Sequence, residues 1–272
     1  MSKESMIEVN KTQTEFYSKK IDTSKNLIYR FWDTLRKKGF WAYRQFLGID
    51  DHVVQLHTNW LGDIQNKSVL DFGCGAGNLL SPYLAKYAKR YVAMDLSDVL
   101  IQKLQTKLRN KGITNGQFIS DDFLNYQFNP PKFDVIYAFG VMHHFKDMDV
   151  LLVRLDQCLE TDGIILTYDP TNVSLVSKLI RALYRPFQPD AEWEFPFTNS
   201  AFDKIVNKFN IHAAQGYFGK SVMGFPFFFI SKKSRIINNW ANSLHKKDLA
   251  DLTKDSYWFR RAMNVTMLLA KK

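Results

Sequence analysis

The stretch Val69-Leu-Asp-Phe-Gly-Cys-Gly-Ala-Gly-Asn-Leu-Leu80 decides how this chain folds. It starts within a short β-rich run, Ser68–Phe72, and its glycines at positions 73, 75 and 77 precede a helical pattern. Glycines in such a turn let the backbone bend tightly and approach a ligand without an intervening Cβ atom. The exposed N–H groups at the start of the following helix favour a negatively charged or carboxylate-bearing ligand. The stretch therefore predicts a strand–turn–helix unit that holds a ligand.

An acidic residue at the end of the next predicted strand indicates which kind of ligand this is. The run Tyr91-Val-Ala-Met-Asp-Leu96 puts Asp95 at the end of the next predicted strand, 22 residues after Gly73. A carboxylate at this point can accept hydrogen bonds from the two hydroxyls of a ribose. We therefore expect the ligand to contain a nucleoside.

The composition is that of a folded chain with one main core. The chain has 272 residues, of which 46% are hydrophobic and 15% aromatic, so wholesale disorder is excluded. The longest apolar run, Val222–Ile230, is far shorter than the ~20 residues that a membrane-spanning helix needs. Only Cys74 and Cys158 are present and the N-terminus lacks a secretory signal, so we expect a cytoplasmic protein with reduced thiols.

Between Ser68 and Tyr168 short β-rich runs alternate with helical patterns, which is typical of βαβ units around a parallel sheet. The turn dipeptide Asp162-Gly163 ends the last of these helices and starts a strand. The pattern predicts a doubly wound α/β domain with a flank at each end. The predicted strands are Ser68–Phe72, Arg90–Met94, Gly116–Ile119, Phe133–Phe139 and Gly163–Tyr168.

Four motifs, in order, make residues 65–170 similar to the class I S-adenosylmethionine-dependent methyltransferases. The first motif of that family reads acidic residue, x, Gly, x, Gly, x, Gly, and here Asp71 supplies the acidic residue. Asp95 matches the second motif. The third is Gln117-Phe-Ile-Ser-Asp-Asp-Phe-Leu124, in which Ser120 replaces the usual glycine. The fourth ends in Val141-Met-His-His-Phe145, similar to the Val-Leu-His-His-Leu of many small-molecule methyltransferases.

The resemblance implies a Rossmann-like α/β fold with a seven-stranded sheet in the order 3-2-1-4-5-7-6. The runs Ile211–Phe218 and Asn264–Ala270 are then an antiparallel sixth and seventh strand. It also implies S-adenosylmethionine as the cofactor and S-adenosylhomocysteine as the product. An ordinary NAD-binding domain is the alternative, but its glycines follow the spacing G-x-G-x-x-G.

The resemblance also implies which residues contact the cofactor. In the family the glycine loop lies against the methionine moiety and the ribose. By the match, Asp121 holds the adenine amino group, and Asp122 is the near alternative. The expected cofactor-binding set is Asp71, Gly73, Cys74, Gly75, Gly77, Asp95, Leu96, Asp121, Asp122, Phe123 and Phe139.

His143 and His144 are the candidate catalytic residues, because imidazole titrates near neutrality and both follow the fourth strand. We expect one of them to face the pocket and the other the body of the domain, with His143 as the first candidate for a base. A base is needed only if the acceptor is protonated at neutral pH. Met142 and the lid aromatic Tyr17 are candidates for acceptor contact. No metal site is expected, since no further His or Cys cluster joins His143, His144 and Asp147.

The flanks carry most of the positive charge. The net charge is +10, to which residues 1–50 contribute +4, residues 51–170 −3, residues 171–215 +1 and residues 216–272 +8. A basic periphery attracts nucleic acid, an anionic membrane surface or an acidic substrate, with solvated lysines as the plain alternative. The predicted division is a helical N-terminal segment or lid (1–66), the methyltransferase domain (67–218 and 262–272) and an aromatic, basic insertion on the acceptor side (219–261).

Three classes of function stay open. The His-His motif and the insertion favour a small-molecule O-, N- or C-methyltransferase, whose acceptor is apolar or membrane-proximal, with peripheral contact to an anionic membrane. Net charge alone favours an RNA or protein methyltransferase, and a non-catalytic cofactor-binding protein is the third class. Asn129-Pro130-Pro131 is similar to the Asn-Pro-Pro-Tyr motif of enzymes that methylate base or glutamine amino groups, but Lys132 follows and a strand comes after it. Asp169-Pro170 is interpreted as a strand end, so nucleic acid is not the expected acceptor.

Overall fold

The computed structural model describes residues 34, 36–188, 191–230 and 234–272. Seven strands form one sheet in the order β3-β2-β1-β4-β5-β7-β6, which confirms the predicted order. Strands β1 to β5 are mutually parallel, and β7 runs antiparallel to both β5 and β6. The strands are β1 Ser68–Phe72, β2 Arg90–Asp95, β3 Gly116–Ser120, β4 Phe133–Phe139, β5 Leu159–Pro170, β6 Phe209–Tyr217 and β7 Asn264–Lys271.

Helices connect and cover these strands. They are α1 Ala42–Phe46, α2 Ile49–Leu61, α3 Ser81–Tyr87, α4 Asp98–Arg109, α5 Met148–Cys158, α6 Leu175–Tyr184, α7 Asn199–Lys208, α8 Phe225–Ile230 and α9 Arg235–Asp251. Five of them begin where a side-chain oxygen accepts a backbone N–H of the first turn, which satisfies a donor that the helix itself leaves unpaired. These capping residues are Ser97, Asp147, Ser174, Thr198 and Ser234. The other helical segments, which are 3₁₀ turns apart from the π-helical first one, are Arg36–Trp41, Met142–His144, Arg185–Phe187, Ala191–Trp193, Lys220–Gly224 and Tyr257–Arg261.

The sheet is buried on both faces, because successive strand residues point to opposite sides. Leu70 of β1 joins a core cluster that includes residues of α5 and α7. Its neighbour Val69 joins a second cluster, on the other face, with residues of α2, α3 and α4. This sandwich holds the carboxyl ends of the parallel strands in one row.

The fifth strand begins earlier than the sequence predicts. Leu159 already pairs with Phe133, and the next pair is Val135 with Ile164, so residues 160–163 bulge out of the ladder. The turn predicted at Asp162-Gly163 lies in this irregularity, which explains why the pattern suggested a strand start there.

A third hydrophobic cluster ties the N-terminal helices to the segment between β6 and β7. Tyr43 and Ile49 pack with Phe218, Val222 and Phe228 beside the ends of β5 and β6. The described part of this segment is largely helical. Within the described residues, no helix combines the length and apolar character needed to cross a bilayer.

Candidate active site

A cavity of about 260 Å³ lies at the carboxyl ends of β1 to β4. This is the point at which the strand order reverses, between β1 and β4, and ligands of open α/β sheets bind at such switch points. The cavity is lined by Phe72, Gly73, Met94, Asp95, Leu96, Leu100, Asp121, Asp122, Phe123, Gly140, Val141, His144 and Phe145. Six members of the predicted cofactor-binding set, from three separate parts of the chain, therefore meet here together with one of the two histidines.

The glycine loop forms the wall between β1 and α3. Gly73, Gly75 and Gly77 have φ values of 62°, 51° and 103°, a region that residues with a Cβ rarely adopt. The Gly73 N–H donates to the carbonyl of Met94 at 2.8 Å. An added Cβ on Gly73 would lie 2.2 Å from the Cγ2 atom of Val141, so glycine is also required by close packing.

Asp71 supports the loop from below. Its fully buried carboxylate accepts hydrogen bonds from Ser81 Oγ at 2.6 Å, Tyr91 OH at 2.8 Å and Asn78 Nδ2 at 3.3 Å. Burial raises the pKa of Asp71 to about 6, although these three donors favour the charged form. Because Ser81 is the first residue of α3, its hydrogen bond to Asp71 holds the start of that helix in place. Asp71 is not among the described residues that line the cavity.

Asp95 lies on the cavity wall at the end of β2. Its Oδ2 atom accepts the N–H of Gly75 at 2.8 Å and its Oδ1 atom accepts the N–H of Ser97 at 2.9 Å. Burial raises the pKa of Asp95, while the two backbone donors lower it. Each carboxylate oxygen has a further lone pair, so the group can still accept hydrogen bonds from two hydroxyls.

Asp121 and Asp122 follow β3, and their carboxylates differ in the hydrogen bonds that they accept. The Asp122 carboxylate accepts the N–H of Leu124 at 3.0 Å and the side-chain amide of Asn125 at 2.9 Å, which closes its own turn. Asp121 is exposed and accepts the N–H of Asp122 at 2.7 Å. Phe123 also lines the cavity, and its ring centroid lies 4.1 Å from that of Phe72.

The two histidines point to different sides, as predicted, but the one at the cavity is His144. His144 lines the cavity, and its Nδ1 lies 2.9 Å from the carbonyl oxygen of Trp193. His143 is buried, and its Nδ1 lies 2.9 Å from Asp169 Oδ1. The ring centroids of the histidines are 4.1 Å apart. The sequence prediction names His143 as the first candidate for a base, and in the structure His144 is the histidine that lines the cavity.

Asp169 is the main site residue that the sequence analysis missed. It is fully buried at the end of β5, and its Oδ1 also accepts the backbone N–H of His143 at 3.2 Å. Burial raises the pKa of Asp169 to about 7, and its Oδ2 lacks a hydrogen-bond partner among the described residues. The available signal was that β4 and β5 are neighbours in the predicted order, so a carboxylate ending β5 lies beside residues that follow β4.

The other predicted site residues lie away from the cavity. Cys74 is buried in the core, Met142 is buried in the core cluster of α5 and α7, and Phe139 stacks on Tyr168 at 4.7 Å. None of the three is among the lining residues of the described chain. Tyr17 lies outside the described residues. Asp147 caps α5 with its side chain, and no cluster of three metal-ligating side chains occurs in the described ranges.

The loop Ala191–Phe197 closes over the histidine turn. Besides the Trp193 carbonyl at His144, the N–H of Phe195 donates to the carbonyl of His143 at 2.7 Å. Phe197 N–H then donates to Pro170 at 2.9 Å. These contacts join the segment Ala191–Phe197 to both candidate catalytic residues.

Comparison with curated proteins finds methyltransferases. Uncharacterized methyltransferase C1347.09 of Schizosaccharomyces pombe is 28% identical over 133 residues, which are 46% of this chain and 46% of that protein. Ribosomal RNA small subunit methyltransferase A of Mesomycoplasma hyopneumoniae is 24% identical over 220 residues, which are 75% of this chain and 81% of that protein. The chain therefore spans less than half the length of the first relative and most of the second.

Solved structures share the fold. The YcgJ protein of Bacillus subtilis has a TM-score of 0.56 at 14% identity, and the matched region covers 82% of this chain and 99% of that protein's chain. Magnesium protoporphyrin IX methyltransferase of Synechocystis, solved with bound S-adenosylhomocysteine, has a TM-score of 0.54 at 14% identity and covers 88% of this chain and 97% of its own. At this identity the likeness concerns the fold alone.

A family model described as a methyltransferase domain matches residues 35–215, which is more than half of the chain. This range contains the glycine loop, Asp95 and the histidine turn. The chain therefore belongs to the methyltransferase-domain family.

Proposed function

We propose that the protein transfers the methyl group of S-adenosylmethionine to a small-molecule acceptor and releases S-adenosylhomocysteine. The observation that carries this proposal is the cavity, which brings the acids Asp95 and Asp121 together with His144. When bound, the cofactor would supply a methyl group on a sulfonium: the acceptor forms a bond to the methyl carbon in line as the carbon–sulfur bond breaks, and S-adenosylhomocysteine is the leaving group. The contribution of the protein is to align the two reactants and to exclude water.

The cavity residues fit the polar groups of this cofactor. We assign the ribose hydroxyls to Asp95, because both of its oxygens keep a free lone pair beside the cavity. We assign the adenine amino group to Asp121, since the carboxylate of Asp122 is engaged in closing its own turn. The glycine loop, packed on Val141, leaves its backbone bare for the methionine moiety and ribose.

His144 is the proposed base for an acceptor that must lose a proton. A carbonyl can only accept, so the contact with Trp193 puts the proton of neutral His144 on Nδ1 and leaves Nε2 as the proton acceptor. His143 and Asp169 are proposed as positioning residues, because their hydrogen bond holds the ring against which His144 packs. The Asp169 carboxylate also stabilises a proton on His144 by its charge, since His144 is among the groups that lower the pKa of Asp169.

Calorimetry with S-adenosylmethionine, S-adenosylhomocysteine and NAD tests the cofactor site. Asp95→Ala should weaken binding of the first two by about 10- to 100-fold, because hydrogen bonds to a charged acceptor contribute about 1.5–3 kcal/mol. The control is Asp98→Ala, since Asp98 is an exposed neighbour that contacts Gln102 at 2.6 Å. NAD binding, or equal affinity of wild type and Asp95→Ala, contradicts the assignment.

Turnover tests the base. Release of S-adenosylhomocysteine is measured with the small-molecule fraction of a cell lysate as the acceptor source, and mass spectrometry identifies the metabolite that gains a methyl group. His144→Ala should lose about 10²–10⁴-fold in turnover at unchanged cofactor affinity.

Two outcomes speak against these roles. If His143→Ala abolishes turnover and His144→Ala does not, His143 is the base. If cofactor binds and no metabolite of any source is methylated, the non-catalytic class is favoured.

We further propose that the acceptor is apolar and that residues 219–261 help to receive it. Phe228 of this segment packs at 4.9 Å on Phe46, whereas Phe227 is half exposed beside Trp240, with ring centroids 5.5 Å apart. The segment therefore combines a buried plug with an exposed aromatic pair. Lys232 and Lys233, which belong to the same stretch of sequence, lie outside the described residues.

An RNA methyltransferase is the second candidate, because the Mesomycoplasma relative is a ribosomal RNA methyltransferase. Against it, Asn129-Pro130-Pro131 is exposed before β4, at the opposite end of that strand from the cavity. Seven residues of strand put it roughly 23 Å away from the site of transfer. Salt separates the candidates, since phosphate contacts release counterions and turnover on RNA then falls steeply as salt rises.

A further inference from the structure

Helix α6, Leu175–Tyr184, is amphipathic in the reverse sense of a typical surface helix. Leu175, Leu179 and Leu183 are 83%, 63% and 67% exposed, and Val176 is 48% exposed. Their spacing of i, i+1, i+4 and i+8 makes one continuous aliphatic stripe. We call these four residues the leucine stripe.

The polar side of α6 holds it in this orientation. Arg181 is buried, and its guanidinium donates from Nε to the carbonyl of Thr171 at 3.0 Å and from a terminal nitrogen to that of Met263 at 3.5 Å. Ser177 is also buried, and Ile180 packs on the cluster that contains Tyr43. A rotation that buried the leucine stripe would expose this arginine and take its donor away from the carbonyl of Thr171, whereas the carbonyl of Met263 would keep the N–H of Thr171. The outward direction of the stripe is therefore built into the fold.

The chain segment that carries the stripe is basic. Residues 171–188 contain Lys178, Arg181 and Arg185 and no aspartate or glutamate. Lys178 and Arg185 are exposed. Tyr217, Phe218 and Val222 belong to the cluster on which Ile180 packs, and the sequence stretch 216–247 that contains them has six basic residues and no acidic one. An anionic surface therefore complements both the apolar stripe and its edges.

The size of the stripe argues against a second protein copy as its partner. Ten helical residues span about 15 Å, and a stripe about 10 Å wide covers on the order of 150 Å². A stable protein interface needs about 800 Å² on each partner. A shallow amphipathic helix with a basic edge, by contrast, is sufficient to lie in the headgroup region of a bilayer.

We infer that α6 docks the protein on an anionic lipid surface, with the leucine stripe inserted at the boundary between headgroups and acyl chains. Lys178 and Arg185 then lie at the level of the lipid phosphates. The inference concerns the docking surface and holds for any acceptor.

Vesicle flotation of the full chain tests the inference, with phosphatidylcholine vesicles that contain or lack phosphatidylglycerol. Wild type should float with the anionic vesicles only. Leu179→Glu with Leu183→Glu should lower the partition coefficient by on the order of a hundredfold, because two leucines no longer bury their side chains. Val153→Glu, a substitution of a half-exposed valine on α5, is the control and should leave flotation unchanged.

The charge contribution has its own matched pair. Lys178→Glu should weaken flotation by at least about fivefold, the value of one basic residue near the surface, whereas Lys111→Glu, the same change after α4, should not. Unchanged melting and S-adenosylhomocysteine affinity establish that each variant folds.

Two outcomes overturn the inference. One is that wild type fails to float at low salt, or that the double variant floats as wild type does. The other is that light scattering finds a wild-type dimer which Leu179→Glu with Leu183→Glu converts to a monomer, because the stripe is then a contact between copies.

Discussion

Gly73 and Gly75 provide a matched pair of substitutions that tests the packing of the cofactor loop. Both have positive φ values, 62° and 51°, so an alanine at either position costs about 1–2 kcal/mol of backbone strain. Only Gly73 faces an obstacle. Its added Cβ would lie 2.2 Å from Val141 Cγ2 and 2.5 Å from Val141 Cβ, whereas nothing lies within 4 Å of a Cβ on Gly75.

The clash sets the expected magnitude. Non-bonded carbons pack at about 3.5–4.0 Å, so Gly73→Ala requires a displacement of more than 1 Å between the two loops. Such overpacking adds about 1–3 kcal/mol to the strain. Val141 lines the cavity and leads into the histidine turn, so the displacement also distorts the cofactor site. We expect Gly73→Ala to bind S-adenosylhomocysteine at least about tenfold more weakly than Gly75→Ala.

Urea unfolding and calorimetry of the two variants measure both effects. A double-mutant cycle with Val141 then identifies the cause. Val141→Ala removes the methyl groups but leaves the Cβ atom at 2.5 Å, so it should rescue Gly73→Ala in part. Val141→Gly removes both and should rescue it further, relative to Val141→Gly alone. Equal stability and affinity of Gly73→Ala and Gly75→Ala, or no rescue by Val141→Gly, would refute the packing argument.

Two further predictions concern buried carboxylates. The folded-state pKa of Asp169, about 7, lies above the ordinary value, so the folded protein holds this proton more tightly than the unfolded chain and the free energy of unfolding falls as pH rises from about 4 to 7. His57, whose pKa burial lowers to about 3, acts in the opposite direction below about pH 6.5, so the measurement compares wild type with Asp169→Asn. Between pH 5 and 7 the free energy of unfolding of Asp169→Asn should rise relative to that of wild type by up to about 1.4 kcal/mol per pH unit, and above pH 7 the difference should level off. A difference that does not change with pH contradicts the interpretation of Asp169 as a buried, protonated acid. Asp248, which accepts the N–H groups of Gly219, Lys220 and Ser221 at 3.0, 2.7 and 2.8 Å, anchors the segment before α8. Asp248→Ala should lower the free energy of unfolding by about 3–5 kcal/mol, while Asp251→Ala, which removes an exposed ion pair, should change it by less than about 1 kcal/mol.

Local sequence signals were sufficient for the framework of the protein. Strands β1 and β4 were predicted to the residue, because their apolar runs are bounded by glycine and polar turns. The sheet order followed from the resemblance carried by the glycine loop. Asp95 was placed at the cavity because the carboxyl ends of parallel strands meet at one edge.

The tertiary structure decided which way individual side chains point. His143 and His144 are adjacent in a short 3₁₀ turn, and no periodicity says which ring faces the cavity until Asp169 and Trp193 arrive from 26 and 49 residues away. Asp71 belongs to the most informative motif, yet its carboxylate is fully buried under α3.

Which face of α6 points to the solvent is likewise not predicted by the sequence pattern. Its sequence indicates an amphipathic helix, and the ordinary expectation is that the apolar side is buried. The buried Arg181 reverses this, because its hydrogen bonds to the carbonyls of Thr171 and Met263 join residues up to 82 positions apart. Hydrophobic periodicity is a property of neighbouring residues and fixes the kind of element, whereas the partner of a buried polar group is chosen by the whole fold, and that choice determines which face the solvent meets.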